Sequence, residues 1–385
     1  MKTTKRRSAA SPAAASDGVP HDPRWRDTRW RSDLRRRLLA WFSTNARQLP
    51  WRGTQDRYRV WLSEIMLQQT QVVTVIPYFE RFLKRFPTVA DLAAADEASV
   101  MQLWEGLGYY RRARQLHAAA KVVVEQHDGV FPRDYAAVLN LPGIGRYTAG
   151  AILSIADGQR LPIVEANTQR LYSRLIASTT HPSERAANAL LWDFAEQILP
   201  RRDCGSFNQA AMELGALLCT PKDPQCAECP LRTGCAAHQQ GLETTIPGKV
   251  KKIQYEQRTE FALLVRCRQS DRYLVHRVPD GQRWAGLWDF PRFGPPHADS
   301  VHAAAQQTQQ TFDVQVTVGE PAKTIRHGVT KYRITLQAFH ADTEHNSNAA
   351  EPSDDRKWLS TDQLKQLPLS VTGRKLAQYL DRLTP

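Results

Sequence analysis

The chain of 385 residues has no apolar run long enough to cross a membrane, and its N-terminus lacks the basic-then-apolar pattern of a secretory signal. It contains only six cysteines. We therefore expect an intracellular protein of a reducing compartment, the cytoplasm or nucleoid, without disulfides and without a membrane partner. In a eukaryote the nucleus or an organelle would take that place, and an organellar transit peptide stays open as an alternative.

Acidic residues are scarce near the N-terminus. Residues 1–52 hold 13 Lys and Arg against four Asp and no Glu, which accounts for +9 of the chain's net charge of +13. Such a stretch is typical of proteins that bind polyanions, nucleic acid above all, although a solvated tail that aids solubility explains it equally well. Residues 1–30 include a run rich in Ala and Ser, and we predict that they form a disordered basic tail.

Hydrophobic spacing divides the remaining chain into two regions. Apolar residues recur at helical intervals through residues 31–238, which predicts an all-α domain. Residues 239–257 are polar and contain Pro and Gly, so they predict a linker. Residues 258–385 include the alternating segment 332–338, which predicts a strand in a smaller α+β domain. The predicted fold class is therefore an α+β multidomain protein.

Four of the six cysteines fall in one short segment, at Cys219, Cys226, Cys229 and Cys235. Four thiolates satisfy a [4Fe–4S] cluster, while zinc is the alternative, although zinc sites usually show two short spacings and only one C-x2-C occurs here. Lys222 and Arg232 in the same segment could reach phosphates, or be ordinary surface charges. Cys204 and Cys267 are expected to pack as small apolar residues.

A second motif runs from Leu141 to Ala149, with the sequence LPGIGRYTA. Its proline sets a turn, and Gly143 and Gly145 permit positive φ and the close approach of another backbone. The amides that begin the following helix are unpaired and can bind an anion such as a DNA phosphate. We interpret the motif as a helix-hairpin-helix; a tight turn between helices without a ligand is the alternative.

The third feature is Glu64, which lies in the apolar helical segment WLSEIMLQQT. Apolar surroundings disfavour the charged form of a carboxyl group and raise its pKa, which suits a general acid. Taken alone, the segment favours a Glu64 side chain that faces solvent.

Together these motifs resemble the MutY family of adenine DNA glycosylases. The similarity extends from about Leu34 to Leu380 and is strongest in WLSEIMLQQTQV, GLGYYRRAR, LPGIGRYTAGAI and the four-cysteine loop. It implies a helix-hairpin-helix glycosylase domain with a [4Fe–4S] loop, followed by a Nudix-like domain. The implied substrate is adenine opposite 8-oxoguanine or guanine in double-stranded DNA. We expect a monomer, with sliding-clamp and mismatch-repair proteins as further partners to test.

The resemblance also implies catalytic roles. The glutamate that matches Glu64 protonates adenine at N7, and a second carboxylate stabilises the cationic sugar. The family has Asp-Gly-Asn at this second position, whereas this chain has Glu165 followed by Ala and Asn167; Asp157 is a weaker alternative carboxylate. Asn167 would orient the water or the sugar. Tyr147 stands where related endonucleases carry a lysine, which implies a glycosylase without strand cleavage.

Further residues match the binding sites of the family. Those that match the adenine pocket are Arg47, Leu49, Trp51, Arg52 and Gln209, although Leu49 and Trp51 could equally be core residues. Gln69 and Tyr109 match residues that enter the duplex where adenine has been flipped out, with Tyr109 beside the 8-oxoguanine. Gly143 and Gly145 would contact phosphate.

The C-terminal domain resembles the Nudix-like domain that recognises 8-oxoguanine in this family, on the basis of the segment RWAGLWDFP. The family's recognition loop is Phe-Ser-His, and the corresponding stretch here runs from His327 to Tyr332. Thr330 can replace the serine hydroxyl, but Lys331 cannot accept a hydrogen bond as a neutral histidine can. Because the acidic metal-binding signature of Nudix hydrolases is not visible, no such hydrolase activity is expected.

Two other functions stay open at this point. One is a glycosylase of the same fold that acts on mismatched thymine or a damaged pyrimidine, against which Tyr147 and the C-terminal domain argue. The other is a non-catalytic protein that binds lesions, which the change from Asp to Glu165 would support.

Overall fold

The computed structural model describes residues 19–248, 254–344 and 355–383. Two compact units make up the chain: Met1–Ala94 with Gln115–Lys251, and Ala95–Arg114 with Lys252–Pro385. In the described ranges no helix combines the length and the apolar character needed to cross a membrane.

Helices form the first unit and the segment that interrupts it. In chain order they are α1 (Thr28–Asn45), α2 (Arg57–Leu67), α3 (Val72–Arg85), α4 (Val89–Ala94), α5 (Glu97–Trp104), α6 (Arg111–Gln126), α7 (Tyr135–Leu139), α8 (Arg146–Asp157), α9 (Ala166–Leu175), α10 (Arg185–Ile198), α11 (Cys204–Leu217) and α12 (Ala236–Gln239). Side-chain oxygens of Asp27, Asp56 and Asp134 accept hydrogen bonds from the first-turn amides of α1, α2 and α7. These caps explain where the helices begin, because the first four amides of a helix have no partner within it.

The chain is folded before the predicted end of the N-terminal tail. A 3₁₀ turn covers Pro23–Arg26, and Trp25 is 2% exposed and packs edge-on against Phe194. The amide of Asp22 donates to the carbonyl of Ile176 at 2.7 Å. The prediction of disorder is therefore wrong for residues 19–30, because burial of one large aromatic ring outweighs the polar composition. Residues 1–18 of the predicted tail lie outside the described ranges.

Close contacts between helices hold the centre of the first unit together. A Cβ atom on Gly205 of α11 would lie 2.4 Å from the carbonyl oxygen of Ser154 in α8, and one on Gly150 would lie 2.7 Å from the carbonyl oxygen of Pro162. Only glycine permits backbones to approach so closely. α8 and the N-terminal half of α11 are consequently packed backbone to backbone.

The second unit contains one sheet. Its strands are β1 (Glu256–Cys267), β2 (Arg272–Arg277), β3 (Trp288–Asp289), β4 (Arg292–Phe293), β5 (Thr317–Val329), β6 (Tyr332–Thr343) and β7 (Arg356–Leu359). The strand order is β3-β2-β1-β6-β5, with β4 paired to β1 and β7 paired to β2. β1 and β6 are parallel, and β5 and β6 form an antiparallel hairpin. The predicted α+β class of this domain is confirmed.

Helices cover both faces of this sheet. Phe261, Leu263 and Val265 of β1 pack in a cluster with residues of α13 (Val301–Phe312), whereas Ala262 and Leu264 pack with residues of α15 (Val371–Asp381). A strand buried on both faces has a continuous apolar run, which is why residues 261–265 do not alternate. A short helix, α14 (Thr361–Gln366), precedes α15.

The domain boundaries differ from the sequence-based ones at two places. Residues 95–114, predicted within the helical domain, group with the second unit, where Arg374 and Glu105 form a two-pronged ion pair at 2.6 and 2.7 Å. The predicted linker 239–257 is partly ordered, because Ile246 is buried and its carbonyl accepts from Arg174. Residues 249–253 lie outside the described ranges, and β1 already begins at Glu256.

Candidate active site

A cavity of about 430 Å³ in the first unit contains most of the predicted site. The predicted residues that line it are Glu64, Tyr147, Glu165, Asn167, Arg47, Leu49, Trp51, Arg52, Gln69 and Gln209. The first and the last of these residues, Arg47 and Gln209, are more than 160 positions apart in the sequence. A cavity of this size is appropriate for a small planar ligand such as a nucleobase.

Glu64 lies at the centre of the cavity's chemistry. It sits on α2, is 6% exposed and accepts a short hydrogen bond from the hydroxyl of Tyr147 on α8. Burial raises the pKa of Glu64 to about 7, with a smaller rise from Glu165, and the bond from Tyr147 opposes that rise. The solvent-facing alternative for Glu64 is therefore wrong, and the carboxyl group is suited to give up a proton near neutral pH.

Glu165 is the N-cap of α9. Its two carboxylate oxygens accept from the amides of Asn167 at 2.9 Å and Thr168 at 2.8 Å, and its own amide donates to the Thr168 hydroxyl at 2.8 Å. Burial raises the pKa of Glu165, while these amides favour its charged form. The Glu165 side chain thus caps its own helix while it also lines the cavity.

Asn167 connects the cavity with the cysteine loop. Its amide oxygen accepts from Arg170 at 2.9 Å, and the same guanidinium donates to the carbonyls of Gly215 at 2.7 Å and Cys219 at 2.6 Å. Arg170 thus fixes the side chain of Asn167 from one side and the start of the loop from the other. Sequence reasoning did not identify Arg170, although an arginine three residues after Asn167 on a helix lies on the same face.

Arg47 and Arg52 do not point freely into the cavity. Both guanidinium groups bind Glu213, a residue of α11 that is 2% exposed, at distances of 2.8 to 3.1 Å. Burial alone would raise the pKa of Glu213, but the hydrogen bonds from Arg47 and Arg52 outweigh it and hold the pKa at about 2. Sequence reasoning missed Glu213; the available signal was that Glu213 is the one acidic residue of α11.

The four clustered cysteines line a second, small cavity in the first unit, together with Arg174, His238 and Glu243. In the described ranges Cys226, His238 and Glu243 also place three donor atoms within 4.8 Å of one another. Arg174 is 2% exposed, and it donates to the Cys219 sulfur at 3.3 Å and to the Thr220 carbonyl at 2.7 Å. Four thiols that converge beside a buried cation fit an anionic thiolate–metal centre.

The isolated cysteines and the charged residues of the loop behave as expected. Cys204 and Cys267 are both fully buried and lie outside the second cavity, and Cys204 packs within an apolar cluster. Lys222 is exposed, and Arg232 is exposed as well, although it borders the cysteine cavity. Both of these cations are open to solvent, as a contact with phosphate requires.

The predicted hairpin joins α7 to α8. Gly143 has φ of +77°, and a Cβ atom there would lie 2.7 Å from Cβ of Gln115. Gly145 is the N-cap of α8 and has no side chain to occupy the first-turn amides. These amides, at the positive end of a helix of 12 residues, are therefore available to an anion. Neither glycine is among the residues that line the cavity.

Gln69 and Tyr109 share an unusual backbone conformation. Their φ angles are +57° and +49°, a region that residues other than glycine seldom adopt. Gln69 lines the cavity, while Tyr109 belongs to the second unit and is 58% exposed. Strain of this kind at an exposed aromatic residue is characteristic of functional positions.

The residues expected to recognise 8-oxoguanine lie on the hairpin of β5 and β6. Thr330 and Lys331 form its two-residue turn, where Lys331 binds Glu256 at 2.6 Å. His327 lies further back on β5 and, as the neutral ring, accepts from Arg292 at 3.0 Å. Burial, followed by the charge of Arg292, lowers the pKa of His327 to about 4. Thr330 and Lys331 are thus exposed, while His327 is directed into the domain.

Comparisons with known proteins agree with both units. A family model described as HhH-GPD superfamily base excision DNA repair protein matches residues 62–197, and one described as NUDIX domain matches residues 261–379. The adenine DNA glycosylase of Rattus norvegicus is 34% identical and covers 89% of this chain and 77% of its own length. That of Homo sapiens is 45% identical over 56% of this chain and 41% of its own length. The solved structure of a thermostable thymine-DNA glycosylase covers 55% of this chain and 98% of its own, with 28% identity and a TM-score of 0.50.

The pKa of Glu64 predicts the pH dependence of any reaction in which Glu64 donates a proton. Below about pH 7 Glu64 is protonated and can donate, so the rate of the chemical step should fall as pH rises through that value. Tyr147→Phe removes a hydrogen bond that favours the carboxylate, so the pKa of Glu64 rises and the falling limb moves to higher pH. Single-turnover rates measured across a pH series would show this shift.

Tyr58→Phe is the matched control for this experiment. It removes the hydroxyl of another buried tyrosine, which donates to the carbonyl of Phe86 at 2.9 Å and does not line the cavity. The pH at the midpoint of the falling limb should be the same in Tyr58→Phe as in the wild type. An unchanged or lower midpoint in Tyr147→Phe would contradict the role assigned to the Tyr147 hydroxyl.

Proposed function

This chain belongs to the family of adenine DNA glycosylases, base-excision repair enzymes that hydrolyse the N-glycosidic bond of adenine, and we propose that it acts on adenine opposite 8-oxoguanine or guanine. The relatives that share most of its length carry the name of adenine glycosylases, which disfavours thymine or a damaged pyrimidine as the substrate. The observation that supports the chemistry best is the buried, proton-holding Glu64 beside Tyr147.

Glu64 would act as the general acid. In this proposal the flipped adenine enters the cavity and Glu64 donates its proton to N7, which makes the base a neutral leaving group. The bond between C1′ and the base then breaks, and its electron pair leaves with adenine. The Tyr147 hydroxyl stabilises the resulting Glu64 carboxylate through the hydrogen bond that it already makes.

Glu165 and Asn167 would act on the sugar. Departure of adenine leaves positive charge on C1′ and the ring oxygen, and the carboxylate of Glu165 would stabilise that charge electrostatically. Water then adds to C1′ and gives a proton to the Glu64 carboxylate, which restores the acid, while Arg170 holds Asn167 in a position to orient the water. Tyr147 offers no amine for a Schiff base, so we propose a monofunctional enzyme that leaves an abasic site without a strand break.

The choice of the opposite base would depend on the second unit. Tyr109 and the β5–β6 turn at Thr330 and Lys331 are exposed and polar or aromatic, as contacts to a lesion require. The ammonium group of Lys331 can only donate hydrogen bonds. Its partner would therefore be an acceptor, such as a phosphate or a carbonyl oxygen. We therefore propose recognition of 8-oxoguanine by these residues, with a contact set different from Phe-Ser-His.

We also propose that the four-cysteine loop holds a [4Fe–4S] cluster. The endonuclease III and MutY type of glycosylase, to which this chain belongs, carries such clusters, and Cys219, Cys226, Cys229 and Cys235 converge on one cavity here. When bound, the cluster would crosslink the loop and keep it folded. The chain's own contribution is the buried Arg174, whose positive charge offsets the thiolates.

The substrate proposal is tested with duplexes that contain A opposite 8-oxoguanine, A opposite G, and T opposite G. We expect free adenine from the first two, little thymine, and strand breaks only after alkali. Glu64→Gln should lower the single-turnover rate by about 100-fold or more while DNA binding persists, as loss of a general acid requires. Glu196→Gln, which changes an exposed acid on α10, is the control. Thymine release that exceeds adenine release would overturn the assignment.

The role of Glu165 is tested by a pair of substitutions. Glu165→Gln keeps the length but loses the charge, and we expect a loss of about 100-fold in the rate, similar to other losses of electrostatic stabilisation. Glu165→Asp keeps the charge and the ability to cap α9, and it should stay active. A wild-type rate in Glu165→Gln would refute the role. An inert wild type that gains activity as Glu165→Asp would instead favour the lesion-binding alternative.

The cluster is tested by elemental analysis of the purified protein. A [4Fe–4S] centre predicts about four iron atoms and four acid-labile sulfides per chain, and Cys226→Ala should lower both together with the thermal stability. Cys204→Ala, outside the cysteine cavity, should keep the full iron content. One zinc ion per chain with no sulfide would identify the site as zinc and contradict the proposal.

A further inference from the structure

An ion pair fastens residues 95–114 to the α+β domain within the second unit. The guanidinium of Arg374 on α15 meets the carboxylate of Glu105 through two parallel bonds of 2.6 and 2.7 Å. The side chains are 19% and 15% exposed. The same guanidinium also donates to the carbonyl of Leu364 at 3.0 Å, which holds it at the end of α14. Two-pronged pairs of this kind fix direction as well as distance.

Three further contacts, made by Arg114 and Arg277, support the same attachment. Arg114 donates a short bond to the carbonyl of Ala285, which lies in the loop before β3, and sits 3.6 Å from Asp280. Arg277 of β2 sits 3.5 Å from Glu97. Asp280 is 97% exposed, and Arg277 and Glu97 are both 42% exposed, so these pairs are screened by solvent and are weaker than the pair of Glu105 and Arg374.

The turn that follows Glu105 leads directly to Tyr109. Its backbone is tied internally: the indole of Trp104 donates to the carbonyl of Gly108 at 3.1 Å, and Arg112 donates to the same carbonyl at 3.1 Å. The amide of Gly106 donates to the Tyr110 hydroxyl at 3.3 Å. Because these hydrogen bonds make the turn rigid, a displacement of Glu105 would also displace Tyr109.

We propose that the ion pair of Glu105 and Arg374 positions Tyr109, so that the enzyme's discrimination between 8-oxoguanine and guanine opposite adenine depends on it. This inference rests on the proposed function, in which Tyr109 meets the base opposite adenine. Arg374 and Glu105 are positioning residues, since they act through the Tyr109 turn and not on the substrate. The α+β domain thus contributes to recognition through the placement of this turn as well as through its own β5–β6 hairpin.

Charge reversal and restoration test the proposal. Glu105→Arg and Arg374→Glu each place like charges together, and the double variant restores opposite charges at the same positions. The measured quantity is the ratio of single-turnover rates on A opposite 8-oxoguanine and A opposite G. We expect each single variant to lower this ratio by about fivefold or more, the size of a typical coupling, and the double variant to regain most of it.

The matched control is Arg266→Glu, which makes the same charge change in a pair within the β1–β2 hairpin. Arg266 binds Asp271 at 2.5 Å, and both side chains are about half exposed, so the reversal should leave the ratio unchanged. A thermal unfolding curve for each variant shows whether it is folded. Glu105→Gln, which removes the charge without repulsion, replaces Glu105→Arg if the reversal prevents folding.

Combining each ion-pair variant with Tyr109→Ala distinguishes a positioning role from a general loss of activity. In Tyr109→Ala the ratio should already be low, and breaking the ion pair should lower it no further. Folded single variants with the wild-type ratio would overturn the inference, as would an equal loss of rate on both duplexes. A wild-type enzyme that does not discriminate between the duplexes would instead refute the proposed substrate, and the inference with it.

Discussion

The hydrogen bond from the Tyr147 hydroxyl to the Glu64 carboxyl connects the hairpin proposed to bind DNA with the proposed general acid. Tyr147 lies two residues after Gly145, whose helix start supplies the free amides of the hairpin. One helix, α8, therefore carries both the free N-terminal amides and the Tyr147 hydroxyl that donates to Glu64. A phosphate bound at the hairpin would fix α8, and through it the orientation of the Glu64 carboxyl. Glu64 and Tyr147 line the same cavity as the other predicted catalytic residues.

Three glutamates line this cavity in three different electrostatic states. Among the described residues no cation contributes to the pKa of Glu64, and burial raises that pKa to about 7. Glu213 is bound by Arg47 and Arg52, and its pKa is held at about 2. Burial raises the pKa of Glu165, and the backbone amides of Asn167 and Thr168 limit that rise. The neighbours of each carboxyl, and not the residue type, set these different pKa directions, and the pKa of Glu64 suits proton donation near neutral pH.

Much of the architecture could be predicted from sequence, because helical spacing, the hairpin glycines and the four cysteines are local patterns. The all-α and α+β regions agree with the structure, and ten of the predicted site residues line one cavity. Two features could not be predicted from local patterns. Burial of Trp25 depends on contact with Phe194, 169 residues away. The ion pair that occupies Arg47 and Arg52 depends on Glu213 of a distant helix.

The role of the cysteine loop follows from α9 and not from the sulfurs themselves. Arg170 and Arg174 are four residues apart and share one face of this helix, and both donate to the loop around Cys219. The same helix begins at Glu165 in the cavity. An ordered loop therefore fixes the helix whose N-terminus carries Glu165 and Asn167, although no cysteine lines the cavity. Loss of the loop's order would therefore alter the support of the helix that carries these two residues.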